Sequence, residues 1–211
     1  MAATSPTAAS PRPEDETVST RERILDIALE LFTEQGYDKT SIRDIAERLG
    51  FTKAALYYHF KSKADILLEL HLRLHALGEQ LLSALDALPD GETRARAWPG
   101  LLDEFITAID DNRELVLMHQ RNQSALEAMA HSEAHLAAND DIEAQIRRLL
   151  ADSELPAATR VRMACSIGAV MTGLLPDGLV GDIPHDEKVR LVRATVADMF
   201  DDSPSDGRVA I

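Results

Sequence analysis

The sequence predicts an all-α protein: an N-terminal three-helix unit with a helix-turn-helix, then a larger helical domain. Three observations carry this. Apolar residues recur at i, i+3, i+4 spacing along most of the chain, without strand-like alternation. Ala and Leu are abundant and aromatics make up only 4%, a composition suited to helices. The breaks are short and carry Gly, Pro, Asn and Asp, the residues of turns and caps.

Residues 1–18 are rich in Ala, Ser, Thr and Pro and predict a disordered arm. Ser19 and Glu22 form a capping-box pattern. The helix they open carries Ile24, Leu25, Ala28, Leu31 and Phe32 on one face and ends at Gly36. A second helix places Ile42, Ile45, Ala46 and Leu49 at helical spacing and stops at Gly50, which supplies the backbone freedom of a helix end. Thr52 is placed to cap a short third helix, Lys53 to His59. Ser62 caps a long fourth helix, from about Lys63 to Leu88, closed by Pro89-Asp90-Gly91. Further helices are expected over about 93–110, 113–137, 139–151, 156–175 and 185–201, with breaks at Asp111-Asn112, Asn139-Asp140, Ser153 to Pro156 and Pro176-Asp177-Gly178. The domain reading is therefore an arm at 1–18, a helix-turn-helix domain at 19–65, a helical regulatory and dimerisation domain at 66–202, and a flexible tail at 203–211.

Composition narrows the function classes. No apolar run approaches the ~20 residues of a membrane span. The N-terminus lacks a signal-like apolar core, so a cytoplasmic protein is expected. The single cysteine, Cys165, excludes an intrachain disulfide. The formal net charge of −14 is unevenly spread. Residues 39–63 hold six Lys or Arg against two acids, a local +4, whereas residues 71–211 hold 13 basic and 24 acidic side chains, a local −11. Screening limits attraction to about 8 Å at physiological salt, so the sign next to a contact governs it. An acidic ligand is less welcome in the second region unless its pocket carries its own basic residue. The chain has no P-loop, GxSxG, dinucleotide fingerprint or HExxH, which argues against an enzyme. No cofactor is implied.

Helix, Gly-containing turn and helix is the layout whose second helix enters the DNA major groove. Thr52 sits where a helix N-terminus suits phosphate oxygens, and Lys63 can add a point charge. Arg43 can reach phosphate or a groove-edge base. Lys53 is the candidate for guanine O6/N7, and Ala54 and Ala55 can meet a thymine methyl. Ser41 belongs to the same polar set. Tyr58 either packs on backbone sugars or supports the fourth helix. Ile45, Ala46, Leu49, Leu56 and Phe60 read as core.

The same segment resembles the DNA-binding domain of TetR-family transcriptional regulators. The matching residues are Thr40-Ser41, Ile45-Ala46, Leu49-Gly50, Leu56-Tyr57-Tyr58-His59-Phe60 and Ser62-Lys63, with Ile24, Ala28, Leu31-Phe32 and Gly36-Tyr37 upstream. The likeness covers roughly residues 20–70. It implies that Tyr57 and His59 contact the DNA backbone. Ile42 departs from it, standing where a polar residue is common. The resemblance also implies a homodimer bound to a double-stranded, palindromic operator and released by a small-molecule ligand, as a repressor rather than an activator.

For the larger domain the residues supply candidates. Val161, Cys165, Gly168 and Thr172, with Val192, Val196 and Met199, could form a four-helix dimer interface, small residues allowing close approach. Trp98, Phe105, Met118, Met129 and Met163 are candidate ligand-lining residues among the middle helices. Glu127, His131 and His135, and likewise His71, His75 and Glu79, share i, i+4, i+8 spacing, which keeps a metal-responsive regulator as the alternative; no metal site is assigned. A ligand-insensitive regulator is the other alternative.

Overall fold

A computed structural model describes residues 13–129, 144–174 and 183–201, with backbone only for 13–19. All its regular structure is helical. The helices are α1 (Pro13–Glu34), α2 (Ile42–Leu49), α3 (Lys53–His59), α4 (Lys63–Asp86), α5 (Gly91–Asp111), α6 (Arg113–Arg121), α7 (Gln123–Met129), α8 (residues 144–150), α9 (Ala157–Leu174) and α10 (His185–Phe200). The chain divides into two compact units, Met1–Leu70 and His71–Ile211.

In the first unit, α1 begins at Pro13, seven residues before the Thr20 start that the Ser19 capping pattern predicts. Residues 13–18, expected in the disordered arm, are helical, and Ser19 lies inside the helix. The physical reason is legible afterwards. Pro13 occupies the first helical position, where its missing N–H costs nothing, and Glu14-Asp15-Glu16 follow where a helix dipole favours acids. Ile24, Leu25, Ala28 and Phe32 of α1 are fully buried with Ile45, Leu56, Ile66 and Leu67. Each such side chain stabilises by about 1.5–3 kcal/mol relative to exposure. Gly36 and Gly50 adopt positive φ, 91° and 70°, at the ends of α1 and α2. A side chain is strained there whatever the space around it.

The second unit is built around Trp98, Leu102 and Ile106 of α5, Met163, Val170 and Leu174 of α9, and Val189, Val192 and Val196 of α10. The Trp98 indole donates to Ser166 Oγ at 2.9 Å, and Ser166 donates to Met163 O at 2.8 Å, so the buried polar atoms are satisfied. The helix expected over 113–137 is interrupted. Asn122, buried, turns its amide onto Met118 O at 2.6 Å and separates α6 from α7. This is the local competition with the helical ladder that makes Asn a helix breaker. Residues 130–143, including the expected break at Asn139-Asp140, lie outside the described residues, as do Pro176-Asp177-Gly178 and the tail.

Candidate nucleic-acid interface and internal cavity

The reading helix is positioned by few contacts. Leu56 is the buried residue of α3, and Phe60 is buried just beyond its end. Arg21 grips the α3 exit: its Nη1 donates to His59 O at 3.1 Å, its guanidinium lies 4.2 Å over the Phe60 ring, and Nη2 pairs with Glu69. The start of α3 is fixed by Thr52, whose hydroxyl accepts from Ala55 N at 3.2 Å. The remaining outward residues stay free of the core. Lys53 and Ala54 are exposed, Tyr57 is 50% and Tyr58 78% exposed, and Ala55 and His59 are half-buried. Tyr58 meets the His59 ring edge-on at 5.1 Å between centroids. So exposed a ring does not serve as support for α4.

One turn back, Ser41 and Asp44 complete a capping box at α2, Ser41 Oγ accepting from Asp44 N at 3.2 Å and Asp44 Oδ2 from Ser41 N at 2.7 Å. The bond from the Ser41 backbone is the main cause that holds the Asp44 carboxyl below the usual carboxylate range. Arg43 is exposed and paired with Glu47 at 2.6 Å. Exposed i, i+4 pairs are weak, so Arg43 can be redirected to a phosphate at little cost. Ile42 is buried and cannot present itself to DNA.

Lys63 departs from its expected role. Its ammonium donates to Tyr37 O at 2.7 Å and Thr40 O at 2.8 Å and lies 3.8 Å over the Tyr37 ring. Burial lowers its pKa, against the opposing pull of Asp38 and Asp44. Thr40, itself buried, donates to Gly36 O at 2.9 Å. Two of three ammonium donors therefore lock the α1–α2 connection to the start of α4. The expected free phosphate ligand is a structural tie that sets where α2 and α3 stand.

Within the second unit, a partly open cavity of about 370 Å³ is bordered by α4, α5, α6 and α9, with Gln123 of α7. Its apolar wall includes Leu74, Phe105, Ile109, Val116, Val170 and Leu174, and its polar groups are His75, His119, Gln120 and Gln123. Of the five expected lining residues, only Phe105 borders it. Trp98, Met118 and Met163 are fully buried packing residues, and Met129 stands elsewhere on α7. The polar lining is not legible in the sequence because it joins His75 of α4 to His119, Gln120 and Gln123 of α6 and α7, more than forty residues further on. His71 Nδ1 and His119 Nδ1 are 3.0 Å apart with their rings stacked, and His75 packs on His71 at 4.2 Å between centroids. One of those two nitrogens must donate and the other accept. His71 thus engages His119 and His75. Among the described residues no group of three or more His, Cys, Asp or Glu is arranged to hold a metal; His131 and His135 lie outside them.

The α9 candidates Val161, Cys165, Gly168 and Thr172 are exposed, Val161 at 62%. An added Cβ at Gly168 would meet nothing within 4 Å among the described residues. The α10 candidates Val192 and Val196 are instead buried in the protomer's own core, and Met199 is half-buried. The close approach occurs at Gly173, where an added Cβ would lie 2.4 Å from Val192 Cγ2. The valines follow the face α10 turns to α9, whereas Leu191, Ala194, Thr195 and Asp198 form its exposed stripe.

A short exposed helix held after a Gly-containing turn, carrying Lys, Tyr and small residues outward, defines a helix-turn-helix DNA-binding regulator. The family model for bacterial regulatory proteins, tetR family, matches residues 24–70. The chain is 30% identical over 182 residues to the HTH-type transcriptional regulator AcrR of Shigella flexneri, spanning 82% of this chain and 84% of that protein. Over 46 residues, 22% of this chain and 25% of the other, it is 50% identical to IcaR of Staphylococcus aureus (strain Newman), the HTH-type negative transcriptional regulator of the biofilm operon icaADBC. Its fold resembles the crystal structure of a TerR/AcrR-family transcriptional regulator from Aquifex aeolicus VF5, with a TM-score of 0.62, 22% identity, and coverage of 86% of this chain and 99% of that one. The chain belongs to the TetR family: it is a DNA-binding transcriptional regulator and not an enzyme. No described helix is long and apolar enough to cross a membrane.

Proposed function

We propose that this regulator is a homodimeric repressor that leaves a palindromic operator when a small molecule occupies the 370 Å³ cavity. The cavity is the observation that carries the ligand-responsive part. Its size lies within the range of small-molecule sites, and a mostly apolar wall with a few convergent polar groups is their usual make-up. Repression takes support from IcaR, a negative regulator that is 50% identical to this chain over 46 residues.

On the DNA side, Lys53 reads a guanine, Ala54 and Ala55 contact thymine methyls, and Thr52, Arg43, Tyr57 and His59 hold phosphates. Ser41 and Tyr58 border the backbone. Lys63 contributes by holding these residues in place. For the dimer, the exposed faces of α9 (Val161, Cys165, Gly168, Thr172) and α10 (Leu191, Ala194, Thr195) supply adjacent small and apolar surface. A ligand then acts by linkage: it weakens operator binding by its preference for the conformation that binds DNA poorly.

Filling the cavity tests the ligand-responsive reading. Leu74→Trp, from the half-buried cavity wall, should leave operator binding near wild type and abolish release by any compound that releases the wild type in a fluorescence-anisotropy screen. A variant that still responds fully would move the effector site elsewhere. A wild-type protein that no compound releases would favour a ligand-insensitive regulator.

A further inference from the structure

A second cavity, of 230 Å³, adjoins the first and shares Ile109, Val116 and Leu174 with it. The two differ in charge. Among the described residues, the larger is lined by no Asp, Glu, Lys or Arg. The smaller is lined by Arg113, Lys188 and His185, with no carboxylate among its described lining residues. His185 is engaged, its Nε2 lying 2.6 Å from Asp110 Oδ1. Arg113 and Lys188 form no side-chain hydrogen bond or ion pair with the described residues, in contrast to Arg94, Arg96, Arg190 and Arg193, each of which is paired with an acid. Two uncommitted cations therefore border one end of an apolar tract, in a unit otherwise dominated by acidic side chains.

From this arrangement, and resting on the ligand-responsive reading above, we infer that the effector is an amphipathic organic anion. Its acidic head sits between Arg113 and Lys188, and its apolar body fills the larger cavity. Charge-assisted bonds to an arginine fork and an ammonium suit a carboxylate or another oxyanion. Among the described lining residues of either cavity a cationic ligand would meet no carboxylate, and the neighbouring Asp110 is already engaged by His185. The overall −11 of residues 71–211 does not oppose this, because screening confines distant charges to about 8 Å while the two cations stand at the head itself.

The test uses the full-length protein and two matched sets of probes. One set is decanoate, decanol and decylamine; the other is naphthylacetate, naphthylethanol and naphthylethylamine. Binding is read by calorimetry and by release from a selected operator. The anion of a set should bind at least 10-fold more tightly than its alcohol or amine, and the preference should shrink with added salt. Arg113→Gln with Lys188→Gln should erase the preference while unliganded operator affinity stays unchanged. Alcohol or amine binding as well as the acid would overturn the inference, as would an anion preference that survives the double variant. If Leu74→Trp blocks a probe that shows no charge preference, the cavity reading stands and the charge inference alone fails. If a preferred anion binds Leu74→Trp unchanged, both fail, and so they do if none of the six probes binds.

Discussion

The two units differ in where they keep their chemistry. The first unit places it outside: Lys53, Tyr57 and Tyr58 project from a seven-residue helix held down by Leu56, Phe60 and the Arg21 grip. The second holds it in cavities bordered by α4, α5, α6, α9 and α10, elements separated by a hundred residues or so in the chain. An exposed reading surface tolerates substitution of its side chains without unfolding. A cavity wall does not separate so cleanly from the core, because the residues that line it and those that hold it shut are neighbours on the same helices.

The largest effect expected from this comparison is at Trp98. Its indole is fully buried and bonded to Ser166. Trp98→Ala should cost about 3–5 kcal/mol in the second unit, measured by denaturant unfolding. A loss below ~1 kcal/mol together with altered ligand response would restore Trp98 as a lining residue and blur the distinction.

Glycine substitutions on α9 sharpen it further. Gly173→Ala pushes a Cβ into Val192 and should destabilise the protomer by about 1–3 kcal/mol. An added Cβ at Gly168 meets nothing within 4 Å among the described residues, so Gly168→Leu should leave helicity and unfolding midpoint of the monomer unchanged, while sedimentation shows dimer dissociation at micromolar concentration and operator affinity falls. A dimer that survives Gly168→Leu at full affinity would remove that face from the interface.

In the first unit, two lysines separate reading from holding. Lys53→Ala should cost about 1–3 kcal/mol on the best operator and relax preference at one position per half-site, with the fold unchanged. Lys63→Ala takes the ammonium from the Thr40 carbonyl and leaves the Tyr37 carbonyl only its bond from Thr40 N at 3.1 Å, and should cost about 1–3 kcal/mol of folding stability. It should weaken binding to all sequences alike. Equal thermal stability of Lys63→Ala and wild type, with a salt slope lowered by about 1, would return Lys63 to the phosphate contacts.

The smallest expected effect is at the α2 cap. Ser41→Ala should cost about 1 kcal/mol, with an acid signature. Hydrogen bonding from Ser41 depresses the folded Asp44 pKa. The stability it lends is therefore complete above the unfolded carboxylate value, near ~4, and disappears as pH falls through the depressed folded value. The variant, which loses the hydroxyl side of the box, should show a shallower acid limb in unfolding midpoint against pH.

The same contrast explains what was legible in the sequence. The reading unit is written in local signals: Gly50 and Thr52 mark a helix end and a cap within a few residues of the structure they specify, and the end of α2 and the start of α3 fall where those residues place them. The start of α1 was missed because Ser19 and Glu22 offer a competing cap downstream of Pro13. Lys63 was misjudged because its partners, Tyr37 and Thr40, are more than twenty residues away. In the second unit the α10 valines show an apolar face without saying what covers it, and only the packing on Gly173 identifies α9 of the same chain. Of the cavity groups, His119 and Gln123 carry no periodic signal, and the spacing of His75 with His71 and Glu79 points to a metal and not to a cavity wall.

Selection of bound sequences from a random duplex pool by the full-length protein tests the central claim most directly, namely that two copies of one exposed helix read DNA symmetrically. Two matched half-sites about one or more helical turns apart are expected, with Lys53→Ala relaxing one position in each. Enrichment of single asymmetric half-sites, or of no sequence, would contradict it.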